Sequence, residues 1–185
     1  AGDVELAFQR FATSKLSGAS DLETISTLGF RGEALPSIAA VSTVSLATRA
    51  GPEATGTRVD AEDGRIVRVR QQGTSPGTVV TVRHLFRSFP ARRKFLKSAQ
   101  AETNRIRRVV RDIAAANPEV AVVLASNGRT LLDLPASDSR TRVEAVLGVE
   151  LAEHMLEVSA ERDGIRLWGL VGRPELARPT AQHQI

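Results

Sequence analysis

Between residues 42 and 84 the chain takes up an alternating pattern and keeps it through four runs, STVSLATR (42–49), GTRVDA (56–61), RIVRVRQ (65–71) and GTVVTVRH (77–84). Successive side chains on a strand point to opposite faces, so a period of two over four to eight residues is the signature of a half-buried strand. Asp63-Gly64 separates the second and third runs and supplies the positive φ angles that a two-residue hairpin turn requires. These features predict a meander of antiparallel strands.

The flanking segments follow the helical period instead. Val4, Leu6, Ala7, Phe8 and Phe11 approximate one helical face, and Ser20-Asp21-Leu22-Glu23 is a capping box opening a short helix to about Thr27. A second helix is expected to start at Glu33 to Leu35, with Pro36 tolerated in its first turn, and to end near Val41. Ile106, Val109, Val110, Ile113 and Ala114 recur at helical spacing between Ser98 and Asn117, where Asn117-Pro118 stops the helix. Arg107, Arg108 and Arg111 project from its other side. Asn127-Gly128 joins two further strands, VAVVLAS and TLLDL. The turn-rich PASDS (135–139) marks a boundary; beyond it a helix over Thr141 to Gly148 precedes strands MLEVSA and IRLWGLV, which meet at Asp163-Gly164. The whole reads as a mixed α/β (α+β) chain with mostly antiparallel sheet and two domains, 1–136 and 137–185. The second is too short to bury its own face, and both ends of the chain read as cut from a longer protein.

Composition narrows the chemistry. None of the 185 residues is cysteine, which excludes disulfides, thiolate metal sites and cysteine nucleophiles, and the three histidines, His84, His154 and His183, lack metal-ligand spacing. No apolar run of about 18 residues and no basic-then-apolar leader is present, so the default compartment is the cytoplasm. Net charge is +4, yet Arg83 to Arg111 holds ten basic residues against Glu102 alone. A field of that size attracts polyanions, or is a solvated face neutralised by acidic neighbours.

Three stretches carry candidate chemistry. In GFRGEAL (29–35), glycines at 29 and 32 allow close backbone approach, and the following helix turns its unpaired amides back on the loop, an arrangement suited to phosphate. Taken alone such a loop is more often plain architecture, and it is not a Walker A pattern. FATSK (11–15) offers the Thr13 and Ser14 hydroxyls and the Lys15 point charge, or else only a helix end favouring a terminal lysine. LFRSFPARRKFLKS (85–98) interleaves aromatics with Arg92, Arg93, Lys94 and Lys97, which suits salt-dependent contact with a nucleic-acid backbone, while its apolar residues can equally form core. No nucleophilic triad or aspartate cluster stands out.

Taken in order, ATSK, DLETISTLGFRGEALPSIAAVS and GTVVTVRHLFRSFPARRKFLKS closely resemble the MutL/Mlh/Pms family of DNA mismatch repair proteins, through essentially the whole chain. The resemblance implies part of a Bergerat-type α/β sandwich of the GHKL ATPase superfamily, followed by the start of a unit like domain 2 of ribosomal protein S5. It implies that GFRGEAL belongs to an ATP lid, with Gly29, Phe30, Arg31, Gly32, Glu33, Ala34 and Leu35 around the phosphates, Thr13, Ser14 and Lys15 contacting ATP, and Thr78 near the adenine. Arg92, Arg93, Lys94 and Lys97 fall where the family's basic surface helps to hold DNA. The resemblance further implies ATP and Mg²⁺ as cofactors, ATP-driven closure of an N-terminal homodimer, a mismatch-recognition partner of the MutS type, and a cytoplasmic, nucleoid-associated protein with no membrane contact. The family's water-activating glutamate and Mg²⁺-binding asparagine would precede Ala1, so no catalytic residue is expected within this stretch. Phe11, Pro36 and Ser88 depart from the family's usual histidine, alanine and asparagine. The rival readings are a non-catalytic DNA-binding or dimerisation module and a GHKL ATPase outside repair.

Overall fold

The computed structural model describes residues 2–14, 29 and 31–176. The capping box at Ser20, the helix expected to follow it, Lys15, Phe30 and His183 lie outside the described residues. The chain divides into two compact units, residues 1–96 and 97–185.

In the first unit, helix α1 (Gly2–Leu6) and helix α2 (Ala34–Ala39) precede strands β1 (Thr43–Arg49), β2 (Gly56–Glu62), β3 (Arg65–Gln72) and β4 (Gly77–Arg83), and α3 (Pro90–Arg93) follows. All four predicted strands form, and their sheet is antiparallel with the order β3-β2-β1-β4. The expected meander is therefore corrected. The chain leaves β3 on one edge and returns as β4 beside β1 on the other, with Val80 and Val82 opposite Leu46 and Val44. Alternation tells a strand which face to bury, but a partner is chosen by which neighbour extends the same apolar row.

That row is the core of the unit. Val44, Leu46, Val59 and Ala61 are buried, and Ala39 of α2 packs into them with Phe8 against the cluster. Asp63 and Gly64 adopt φ of 46° and 82°, the positive pair that the hairpin turn demands. Two backbone hydrogen bonds fasten the exit of α2 to the sheet: Gly64 N donates to Ala39 O at 2.9 Å and Phe86 N to Val41 O at 2.7 Å. These bonds hold the helix that follows the glycine-rich loop.

In the second unit, α4 (Ala99–Ala116) runs between the expected ends, with Ser98 Oγ accepting from Ala101 N at 3.3 Å and Asn117 at its C-terminus. Strands β5 (Val122–Ser126) and β6 (Arg129–Leu134) pair around Asn127-Gly128, and β7 (Met155–Arg162) and β8 (Ile165–Gly172) around Asp163-Gly164. Between the hairpins lie α5 (Ser139–Leu147) and α6 (Val149–Ala152). Asp138 caps α5: its carboxylate accepts from Thr141 N at 2.9 Å and from Thr141 Oγ1 at 2.7 Å.

The centre of this unit is Arg142, which no sequence pattern singles out. It is 1 % exposed. Its Nη1 donates to Ala114 O at 2.9 Å, while Nη2 is shared among the carbonyls of Pro118, Val120 and Pro135 at 2.9, 2.8 and 2.7 Å. A buried cation needs compensation. Here it comes from backbone carbonyls at the negative end of α4 and in the loops beside it.

Among the described residues, two carboxylates are held below their ordinary range. Burial alone would raise the Asp60 carboxyl, but hydrogen bonds from Ser45 and Arg58 and the charges of Arg58 and Arg70 together hold it below the ordinary 3.8. The backbone and hydroxyl hydrogen bonds from Thr141 hold Asp138 below the same value. With folded values depressed, the unfolded chain binds more protons in the window below 3.8, so stability falls as pH drops through it. The urea midpoint is expected to be flat above about pH 5 and to decline towards about pH 3, less steeply once Asp138 is changed to Ala. A midpoint that rises with acid would contradict this account.

Candidate functional site

Two segments distant in sequence build a recess in the first unit. The first follows α1, whose end is closed by turns in which Phe8 N donates to Glu5 O at 3.0 Å and Gln9 N to Leu6 O at 2.9 Å. Phe11 then takes a φ of 65°, uncommon for an aromatic residue, and the chain turns into Ala12, Thr13 and Ser14. The second is the glycine-rich loop. Gly32 sits at φ 61°, and a Cβ there would collide with the Ala12 carbonyl oxygen and lie 2.7 Å from its carbon. Glycine is needed here for its backbone angle and for its missing side chain alike. After it, Pro36 occupies the first turn of α2, where no amide donor is required, and is buried.

An ion pair also joins the segments: Arg10 Nη2 lies 3.3 Å from Glu33 Oε1, and the Arg10 guanidinium sits 5.5 Å from the Phe11 ring centroid. Glu33 precedes α2 without bonding the helix amides through its side chain. The first amides of a helix have no acceptor within it, and Ala34 and Leu35, which open this one, line the recess.

The recess measures about 1140 Å³, enough for a nucleotide-sized ligand on the scale of roughly 300–1,000 Å³ common for small-molecule sites. Thr13, Ser14, Gly29, Arg31, Gly32, Glu33, Ala34 and Leu35 line it, joined by Asp3 and Leu6 of α1 and by Ala7 just after it. The structure thus brings together the residues singled out at both motifs, so far as they are described. Thr78 stands elsewhere, on β4, with its Oγ1 2.8 Å from Thr48 Oγ1. The contribution of α1 and the Arg10–Glu33 pair had no sequence signal, because the partners are 23 residues apart. Among the described residues no three His, Asp or Glu side chains converge as a metal site would require.

The basic segment is built differently. Pro90 starts α3, Arg92 and Arg93 end it and Lys94 follows; Arg92 lies 5.5 Å from the Phe89 centroid and Phe95 is 81 % exposed. Lys97 belongs to the second unit, where its amide donates to the Glu102 carboxylate at 2.8 Å.

The arrangement defines an α/β domain with the fold of MutL ATPase domains. The Aquifex aeolicus MutL ATPase domain complexed with ADP superposes with a TM-score of 0.66 at 36 % identity, over 85 % of this chain and 60 % of that one. A second structure of the Aquifex aeolicus ATPase domain gives 0.61 at 34 % identity over 85 % and 57 %. In sequence, DNA mismatch repair protein MutL of Desulforudis audaxviator is 47 % identical over all 185 residues, and those of Symbiobacterium thermophilum and Rhizobium rhizogenes are 46 % and 42 % identical over 98 % of the chain. The chain belongs to the MutL family of DNA mismatch repair proteins. It spans about a third of the length of these relatives, 33 %, 29 % and 30 % respectively. No family model matches it. Among the described residues no helix is long and apolar enough to cross a membrane.

Proposed function

We propose that this stretch forms the nucleotide lid and an adjoining basic surface of a mismatch repair protein that binds and hydrolyses ATP. The observation that carries the reading is the convergence of the Thr13–Ser14 segment and the glycine-rich loop on one recess of about 1140 Å³. The residues suit a polyphosphate: hydroxyls of Thr13 and Ser14, the Arg31 guanidinium, and backbone donors between Gly32 and Leu35. Lys15 and Phe30 are assigned to the phosphates, and Thr78 to the adenine side, on the family resemblance alone. ATP supplies the phosphoanhydride whose binding and cleavage drive the cycle. The chain's part is to hold the phosphates and, by ordering the loop over them, to favour a closed N-terminal homodimer. On the family resemblance alone, Mg²⁺ binding and the activation of water are assigned to other parts of the parent protein. Residues 137–185 are read as the start of a ribosomal-protein-S5-like domain.

In this reading the parent protein couples dimer closure to a MutS-type mismatch-recognition partner on DNA, in the cytoplasm with the nucleoid. The test is titration of the full-length protein with ATP. Saturable, Mg²⁺-dependent binding that Lys15→Ala abolishes is expected, while the 185-residue chain alone shows no turnover. Full-length protein that binds no nucleotide at millimolar concentration would sink the proposal.

The basic surface makes a separate prediction. Arg92→Glu/Arg93→Glu is expected to weaken duplex binding at low salt by a similar factor for every sequence, because phosphate contacts carry no base information. Equal affinity for the parent and the variant would count against a DNA role for α3.

A further inference from the structure

Residues directly opposite one another in a sheet share a face. The core row of Val44, Leu46, Val59 and Ala61 takes one face of the first sheet. The alternate positions, Ser45 and Ala47 of β1, Arg58 and Asp60 of β2, Arg68 and Arg70 of β3 and Val79 and Thr81 of β4, therefore take the other. On it Arg58 stands opposite Arg70, and Asp60 opposite Arg68.

Like charges placed directly across from each other destabilise a sheet, and on this face of β2 and β3 two acids, Asp60 and Glu62, stand among four guanidinium groups, those of Arg58, Arg65, Arg68 and Arg70. Asp60 is already engaged, with its Oδ1 2.9 Å from Arg58 Nε. Arg68 and Arg70 are exposed, and among the described residues neither joins a salt bridge. Apart from Val79 the neighbours are small, so the face lacks the aromatic or aliphatic anchors on which protein interfaces depend. Guanidinium groups instead match phosphate oxygens in pairs. Same-face positions on one strand are about 6.8 Å apart and adjacent strands about 4.8 Å apart, so Arg58, Arg68 and Arg70 stand within reach of a few consecutive phosphates.

We propose that this sheet face docks the phosphodiester backbone of a nucleic acid, with Arg68 and Arg70 making the contacts and the Arg58–Asp60 pair flanking them. It takes the same class of partner as the α3 surface at a different place, and stands whether or not Arg92 and Arg93 touch DNA. Charges on the edge strand β3 also discourage edge-to-edge aggregation, a role that would leave nucleic-acid binding untouched.

The experiment measures binding of the full-length protein to a labelled duplex and to a labelled single strand of equal length, over a range of salt. Arg68→Gln/Arg70→Gln is expected to bind roughly three- to tenfold more weakly at low salt and to lower the slope of log K against log salt by about 2. Whichever probe loses more identifies the form of nucleic acid. Arg68→Lys/Arg70→Lys keeps the charge and the slope, and Asp60→Asn, which removes the repelling carboxylate opposite Arg68, binds about twofold more tightly. Unchanged affinity and slope in the glutamine variant, with a parental melting curve, would overturn the proposal. So would binding of polyglutamic acid to this face as tight as that of DNA, which would make the partner an acidic protein. Running Arg92→Glu/Arg93→Glu in parallel separates the two surfaces, since each is scored against its own parent titration.

Discussion

Arg142→Met is expected to lower the melting temperature of the chain by more than about 12 °C, because removing the guanidinium withdraws its donors from four carbonyls, only two of which keep a backbone amide, at a cost of roughly 3–5 kcal/mol, and a unit of this size loses about 4–8 °C per kcal/mol. The side chain is 1 % exposed and its four acceptors come from α4, from the loop after it and from the end of β6. Asn117 N at 3.3 Å and Ser137 N at 2.9 Å still serve the carbonyls of Ala114 and Pro118, so the loss falls mainly on those of Val120 and Pro135. Methionine fills much of the volume, so the loss measures hydrogen bonding more than cavity formation. Arg142→Lys is expected to be intermediate, since an ammonium keeps the charge and concentrates its three donors at one atom. Differential scanning calorimetry decides the point, and a methionine variant melting within about 2 °C of the parent would refute it.

Gly32→Val is expected to reduce the nucleotide affinity of the full-length protein by about 10- to 100-fold, a size typical of displacing a binding element by an ångström or so. A Cβ at this position would overlap the Ala12 carbonyl and lie 2.7 and 2.9 Å from the Ala12 carbon and nitrogen. The backbone there sits at φ 61°, strained for any β-branched residue. The loop can relieve the overlap only by moving off the Ala12–Ser14 segment, which widens the recess and separates the hydroxyls from the loop amides. Gly51→Val is the matching control, because a Cβ at Gly51 meets nothing within 4 Å. Isothermal titration with a non-hydrolysable ATP analogue separates the outcomes. Equal affinities for parent and Gly32→Val would remove this contact from any account of the site.

Legibility differed between levels of organisation. The strands at Thr43–Arg49 and Gly77–Arg83 were readable because alternation and turn chemistry are local, and α4 was readable nearly to the residue because Ser98 and Asn117 act within one turn of its ends. The pairing of β4 with β1 was not readable, since any strand with an apolar row can extend the same face. The short helix α3 escaped notice because four residues carry no periodicity, although Pro90 marks its start. Candidate binding residues at GFRGEAL and FATSK were visible as motifs, and the resemblance they carry located the family. That they line one recess, with Asp3, Leu6 and Ala7 beside them, is a fact of packing.

The sequence by itself determined what each segment prefers locally: which face a strand buries, where a helix is capped, where a turn needs positive φ. These depend on interactions within a few residues, and the chain encodes them directly. Tertiary structure alone decided the strand order, the contact of Gly32 with Ala12, the opposition of Arg58 and Arg70 across a bulged strand pair, and the burial of Arg142. Each of those joins distant segments, and for Arg142 the partners are backbone carbonyls, which every residue possesses and no sequence pattern can mark.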